Sequence, residues 1–307
     1  MLLLYLHIAA ACIHIISCVL SVVVHTDTAK SAITLASHEY HVDPVGTTTT
    51  YETLIEQSAM VWVSGNEAIT FFSHLIAVFY LARDERMRSF ESLRRTIEYS
   101  FTAGILQVAL VLSVGSITLP DIFFILLING VMQFMILGMN KENRTVLMTC
   151  GFVLLAAEIQ FVILNSMRLH GIGLDYFIIT GAMYALFYIG FGIVKLFESP
   201  YEDEIYILMS VSSKVSLSWL LIGNMFEGFK ELGETTTPDF TDLDWRAIQW
   251  TIVIVSIAIL AIGIPLIVGS KPYKDNKDRK DRLLKRSEEL RTMGESINVP
   301  MYTNLRY

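Results

Sequence analysis

EIYILMSVSSKVSLSWLLIGNM, Glu204–Met225, decides how this chain is read. It is 22 residues long and, past Glu204, holds a single charged side chain, Lys214. A bilayer's hydrocarbon core is about 30 Å thick and takes roughly 20 apolar residues of helix to cross. The segment therefore reads as a membrane span. Lys214 lies ten residues into it, roughly 15 Å at the α-helical rise and near mid-membrane. From there its side chain cannot snorkel to either interface. An ionisable group at that depth is costly and marks function by default. Burial favours the neutral amine, a nucleophile able to form an imine with an aldehyde. The plainer reading is a lysine neutralised by burial or paired with a carboxylate, as in a transporter. Ser210 and Ser218, four residues to either side, share its helix face.

Seven further segments repeat the pattern: Leu2–Val24, Ile55–Leu81, Thr96–Ser116, Leu119–Met139, Thr145–Ser166, Leu174–Leu196 and Trp250–Val268. Composition agrees, with 53% of the 307 residues hydrophobic and 17% charged, against about a quarter charged in soluble domains. The expected fold is an all-α integral membrane bundle of eight spans, with no soluble domain of useful size. Leu2–Val24 lacks a basic start and runs longer than a signal core, so it is taken as a span rather than a cleaved signal. The first loop, with TTTTY at Thr47–Tyr51, suits a short β-hairpin. Cys12, Cys18 and Cys150 all fall in apolar stretches and make no disulfide framework.

The formal charge of −7 is segregated between the loops. Arg83, Arg86, Arg88, Arg94 and Arg95 lie between the second and third spans, Lys141 and Arg144 between the fourth and fifth, and a basic cluster opens the tail at Lys271. If the spans alternate, these fall on one side, which the positive-inside rule makes cytoplasmic. The opposite side carries acids such as Glu227, Glu231, Asp239 and Asp242. Both termini are therefore expected in the cytoplasm, and the sequon Asn143-Arg144-Thr145 is expected to be unused. The basic start of the tail can touch anionic lipid headgroups, although a stop-transfer flank explains most of it.

Other ionisable groups accompany Lys214 at membrane depth. Glu98 follows Arg94 and Arg95 by one turn at the start of the third span. Taken alone, it is a helix-start carboxylate favoured by the dipole. The third and seventh spans start on the same side, so the lysine's long side chain can reach back toward Glu98. A protonated imine in low dielectric needs such an anion. Glu67 and Glu158 stand near the middle of the second and fifth spans with no obvious basic partner. Each is either protonated and hydrogen-bonded or part of a proton path. His14 and His74 in the first two spans could store a proton together with a carboxylate. Asn129 and Gln133 share a face of the fourth span and read as polar packing.

RRTIEYSFTAG at Arg94–Gly104 and SVSSKVSLSWLLIGN at Ser210–Asn224, with a long first loop, resemble the heliorhodopsins over about residues 1–226. Those are retinal proteins inverted in the membrane relative to ordinary microbial rhodopsins. The resemblance implies a seven-helix retinal-binding bundle of inverted topology, in which Lys214 is the Schiff-base lysine and Glu98 its counterion. It places Ser210, His14, His74, Trp219 and Asn129 around the cofactor, all-trans retinal. It further implies a slow-cycling sensory photoreceptor, a homodimer and a cytoplasmic signalling partner still to be identified.

Three features depart from the family pattern. An eighth span follows an acidic loop (227–249), occupying 250–268, and a basic tail expected to be disordered occupies 269–307. Glu158 stands where the family has an apolar or aromatic pocket wall. MYALFYIGFGIVKLF, Met183–Phe197, keeps aromatic character but lacks asparagine. Glu158 opens one alternative, a light-gated proton conductance using Glu158, Glu67 and Glu98. The other alternative is a chromophore-free transporter built on Lys214. No enzyme activity, metal site or nucleic-acid partner is expected.

Overall fold

A computed structural model of the chain describes residues 1–23, 31–42, 45–114, 117–139, 142–166, 174–196, 201–232, 245–269 and 285. Among these, helices run α1 (Leu2–Val23), α2 (Ala59–Arg83), α3 (Glu91–Val114), α4 (Leu119–Leu137), α5 (Arg144–Ser166), α6 (Leu174–Leu196), α7 (Glu202–Leu232) and α8 (Trp245–Gly269). A short 3-10 helix, Glu85–Phe90, leads into α3. The burial pattern is that of a membrane protein. Phe79, Leu127 and Leu266 are 69%, 67% and 68% exposed, whereas Glu67, His14 and Ser216 are 0% exposed. Apolar surface turned outward around a polar interior is stable only where the surroundings are lipid. Among the described residues, five helices are long and apolar enough to cross a membrane, and the chain is a multi-pass membrane protein. α2 places Asn66, Glu67, Thr70 and His74 in the interior, so its polarity belongs to the bundle's inside.

The first loop forms a larger β element than a short hairpin. β1 (Ser31–Val42) and β2 (Val45–Gln57) pair antiparallel from Ser31↔Gln57 to Val42↔Val45, with one irregularity at Ile33/Thr34. β3 (Ile117–Thr118) joins β1 in parallel, giving the order β2-β1-β3. Ile33 and Ile117 are buried against Ala59, Met60 and Val63, which anchors the sheet to the bundle. Because β2 runs to Gln57, α2 starts at Ala59 and not at Ile55. Ser58 caps it, its side chain accepting from the Met60 N–H at 3.2 Å. Thr118 likewise closes β3 and caps α4, accepting from the Asp121 N–H at 3.3 Å, with Pro120 in the first turn.

Charge pairing accounts for the start of α3, and two other boundaries shift as well. α3 begins at Glu91 rather than Thr96, because Arg94 and Arg95 are neutralised by partners and stay in the helix. α7 continues past Met225 to Leu232, and α8 starts at Trp245 instead of Trp250. The acidic loop is thus helical at both ends, while its middle and the basic tail, apart from residues 269 and 285, lie outside the described residues.

α1 pairs with α2, α3 packs on α4 and α2, and α8 lies along α7. Ser216 donates to Ser256 at 2.6 Å in that last contact. At Gly104 a Cβ would meet Leu126 Cδ2 at 2.8 Å, so the glycine permits the close approach of α3 to α4.

Candidate functional site

Lys214 is buried in the middle of the bundle, and its ammonium donates to two side chains on different helices. One is Glu98 Oε1 on α3 and the other is Thr70 Oγ1 on α2, at 3.0 Å. The Tyr99 ring lies 4.8 Å from Nζ, close enough for a cation–π contact. The reach from α7 back to the start of α3 is therefore made, with a carboxylate at its end. That carboxylate is shared. Its second oxygen accepts from Arg94 Nη1 at 2.5 Å and from Ser73 Oγ at 2.7 Å. Arg94 bridges onward to Glu91 through Nε at 3.1 Å and through Nη2, and Tyr80 donates to the same carboxylate.

A second polar column runs beside the first, between α1 and α2. His14 Nδ1 lies 2.6 Å from Glu67 Oε2, and Ser218 Oγ donates to Glu67 Oε1 at 2.5 Å. The basic partner that Glu67 lacks in a linear reading is thus His14, from another helix. His14 stacks on His74 at 5.7 Å between ring centroids. The Nδ1 atoms of His74 and His7 are 2.7 Å apart, so one carries a proton for the other to accept. His7 Nε2 lies 3.3 Å from Glu91 Oε2, which links the column to Arg94. Fully buried, these groups form one connected set from Ser218 to Glu91.

Lys214 also forms part of the wall of a partly open cavity. Its other walls are largely apolar and aromatic, including Tyr99, Met132, Phe152, Leu155, Tyr188 and Phe191. Ligand pockets are mostly apolar, with a few polar groups fixing orientation. A mainly apolar cavity with one amine in its wall and a carboxylate beside that amine has the chemistry to receive an apolar aldehyde.

Several candidate residues stand elsewhere. Ser210 is buried near Tyr99 and is not among the residues that line the cavity, whereas Ser213 is. Trp219 donates from Nε1 to Ser17 Oγ at 3.0 Å, tying α7 to α1. Asn129 donates to the Tyr99 and Ser100 carbonyls at 2.7 and 2.9 Å, pinning α4 to α3, while Gln133 reaches the cavity. Glu158 is buried one turn beyond the cavity's Leu155, beside Gln107. Neither of its oxygens has a hydrogen bond of good geometry.

Arg94, Ser73, Thr70, His7 and Glu91 join the site without having been singled out from the sequence. Helical spacing carries the signal for most of them. Glu91, Arg94 and Glu98 fall at i, i+3 and i+7, Glu67, Thr70 and His74 do the same, and His7 and His14 stand two turns apart.

At the N-terminal ends of α3 and α7, Arg95 pairs with Asp203 at 2.9 Å and Glu202 at 3.2 Å, and Arg88 with Glu204 at 2.7 Å. Lys195 of α6 joins at Glu202, 2.8 Å away. No protein-family model matches the chain, and no curated protein is significantly similar to it.

Proposed function

We propose that this protein is a light-absorbing membrane photoreceptor that holds all-trans retinal on Lys214, as the resemblance to heliorhodopsins implies. One observation carries the reading: a buried lysine, paired with the Glu98 carboxylate, in the wall of an apolar and aromatic cavity. Retinal bound there, condensed with Nζ with loss of water, would supply the visible absorption and the light-driven change of shape.

The chain's own residues do the rest. Glu98 supplies the anion next to the nitrogen, and Thr70 accepts a hydrogen bond at the same place. Tyr99, Tyr188 and Phe191 confine the apolar ligand and exclude water. The column Glu67, His14, His74 and His7 offers buried acceptors for a displaced proton. On this reading α1–α7 form the inverted seven-helix core, α8 is an added span, and both termini face the cytoplasm.

Trapping tests the linkage. Membranes loaded with all-trans retinal are reduced with borohydride and digested, and the peptides are weighed. The retinyl mass is expected on the peptide containing Lys214. Its absence from that peptide in a coloured protein would place the chromophore elsewhere, and a colourless protein would favour the transporter. A second reading, a light-gated proton conductance, is favoured by Glu158, a buried acid whose oxygens lack good hydrogen bonds.

A further inference from the structure

We propose that Arg94 is a positioning residue that shares the Glu98 carboxylate with the chromophore nitrogen, and so sets both the colour of the loaded protein and the alkaline endurance of its visible band. The proposal rests on the retinal reading above. Its basis is the division of one carboxylate between two cations. Glu98 Oε1 faces Lys214, whereas Oε2 faces Arg94 at 2.5 Å and Ser73 at 2.7 Å. Arg94 is held in that position from its other side by Glu91, and Ser73 is also within 2.5 Å of its Nη1. The side chains of Arg94 and Glu98 are 9% and 1% exposed, so solvent does little to screen the pair.

Every neighbouring element contributes a group. α1 presents His7 to Glu91, and α2 presents Ser73, His74 and Tyr80. α3 presents Glu91 and Glu98, and α7 presents Lys214. Two anions, Glu91 and Glu98, therefore meet two cations, Arg94 and Lys214. Arg94 acts as the joint between them.

The consequence for colour follows from where charge sits. A protonated imine carries its positive charge at the nitrogen in the ground state, and excitation moves that charge along the polyene. An anion at the nitrogen stabilises the ground state more and widens the gap. Arg94 draws part of that anion's field onto itself, which narrows the gap. Without Arg94, Glu98 acts on the nitrogen alone. The band then moves to shorter wavelength and survives to more alkaline pH. Removing Glu98 itself does the reverse on both counts.

The test compares wild type, Arg94→Gln, Arg94→Lys and Glu98→Gln, each loaded with all-trans retinal. The readouts are the band maximum and the pH at which the band is half lost. Arg94→Gln is expected to shift to shorter wavelength and to keep its band to a proton concentration at least about tenfold lower, the scale of one opposite charge gained or lost nearby. Arg94→Lys should move back toward wild type, and Glu98→Gln should shift to longer wavelength. A folded Arg94→Gln with the wild-type maximum and midpoint, or with shifts in the direction of Glu98→Gln, overturns the proposal. Should Arg94→Gln fail to fold, Glu91→Gln decides. It leaves Arg94 wholly to Glu98 and should shift the band to longer wavelength, and an unmoved band overturns the proposal. A wild type that stays colourless refutes the retinal reading instead.

Discussion

Removing the charge of Glu98 should cost the retinal-free protein more stability than removing that of its partner Lys214. Glu98 is the anion beneath two buried cations, Lys214 and Arg94. In Glu98→Gln, Arg94 keeps Glu91, but Lys214 keeps in direct contact the neutral Thr70 hydroxyl and the Tyr99 face, with the Glu67 carboxylate acting from farther off. A buried charge left without its partner costs about 3–5 kcal/mol. In Lys214→Met the orphan is Glu98, which retains Arg94 at 2.5 Å and Ser73 at 2.7 Å. The loss then falls to that of one charged hydrogen bond, about 1.5–3 kcal/mol. The double variant should cost less than the sum of the two, with a coupling of about 0.5–3 kcal/mol. Equilibrium unfolding in mixed micelles, followed by far-ultraviolet circular dichroism as dodecyl sulfate is titrated, measures all three. The reasoning is refuted if Glu98→Gln is the milder single variant, or if the two losses simply add.

Three other expectations follow from the structure and the charge pattern. Gly104→Ala places a methyl 2.8 Å from Leu126 Cδ2 and 3.3 Å from its Cα, so it should cost about 1–3 kcal/mol of overpacking in the same unfolding assay. Tags on the N- and C-termini should both be inaccessible to antibody in intact cells, and an externally labelled C-terminus would mean that α8 does not span or that the orientation is reversed. Under voltage clamp with illumination, a conductance reading expects photocurrents that reverse with the proton gradient and vanish in Glu158→Gln. Silence at every voltage and pH would leave Glu158 as packing.

Hydropathy placed the helical segments because they are apolar runs, five of them long and apolar enough to cross a membrane among the described residues, and Lys214 stood out because one charge interrupts such a run. Local chemistry was also enough for the hairpin, though not for its length: β1 and β2 extend to Ser31 and Gln57 by pairing with each other, a non-local gain. The start of α3 differs from a hydropathy reading because charges were present. Arg94 and Arg95 look like a loop in a hydropathy reading, yet they sit inside α3 because acids on α3 and α7 neutralise them.

The site followed the same division. Lys214 and Glu98 could be paired from span direction alone. The pairing of His14 with Glu67 could not, since 53 residues separate them and only the packing of α1 on α2 brings them together. Asn129 and Trp219 are polar groups in apolar helices, and nothing in the sequence distinguishes a cavity wall from a helix–helix bond. The structure puts both in the latter.

The central claim is that Lys214 carries a retinal. It is tested most directly by one pair of absorption spectra, taken on wild-type and Lys214→Ala membranes after incubation with all-trans retinal, with equal insertion verified by immunoblot. Wild type should show a visible band that Lys214→Ala, and equally Lys214→Arg, lacks. A visible band of undiminished strength in the inserted Lys214→Ala protein, or none in wild type, would contradict it.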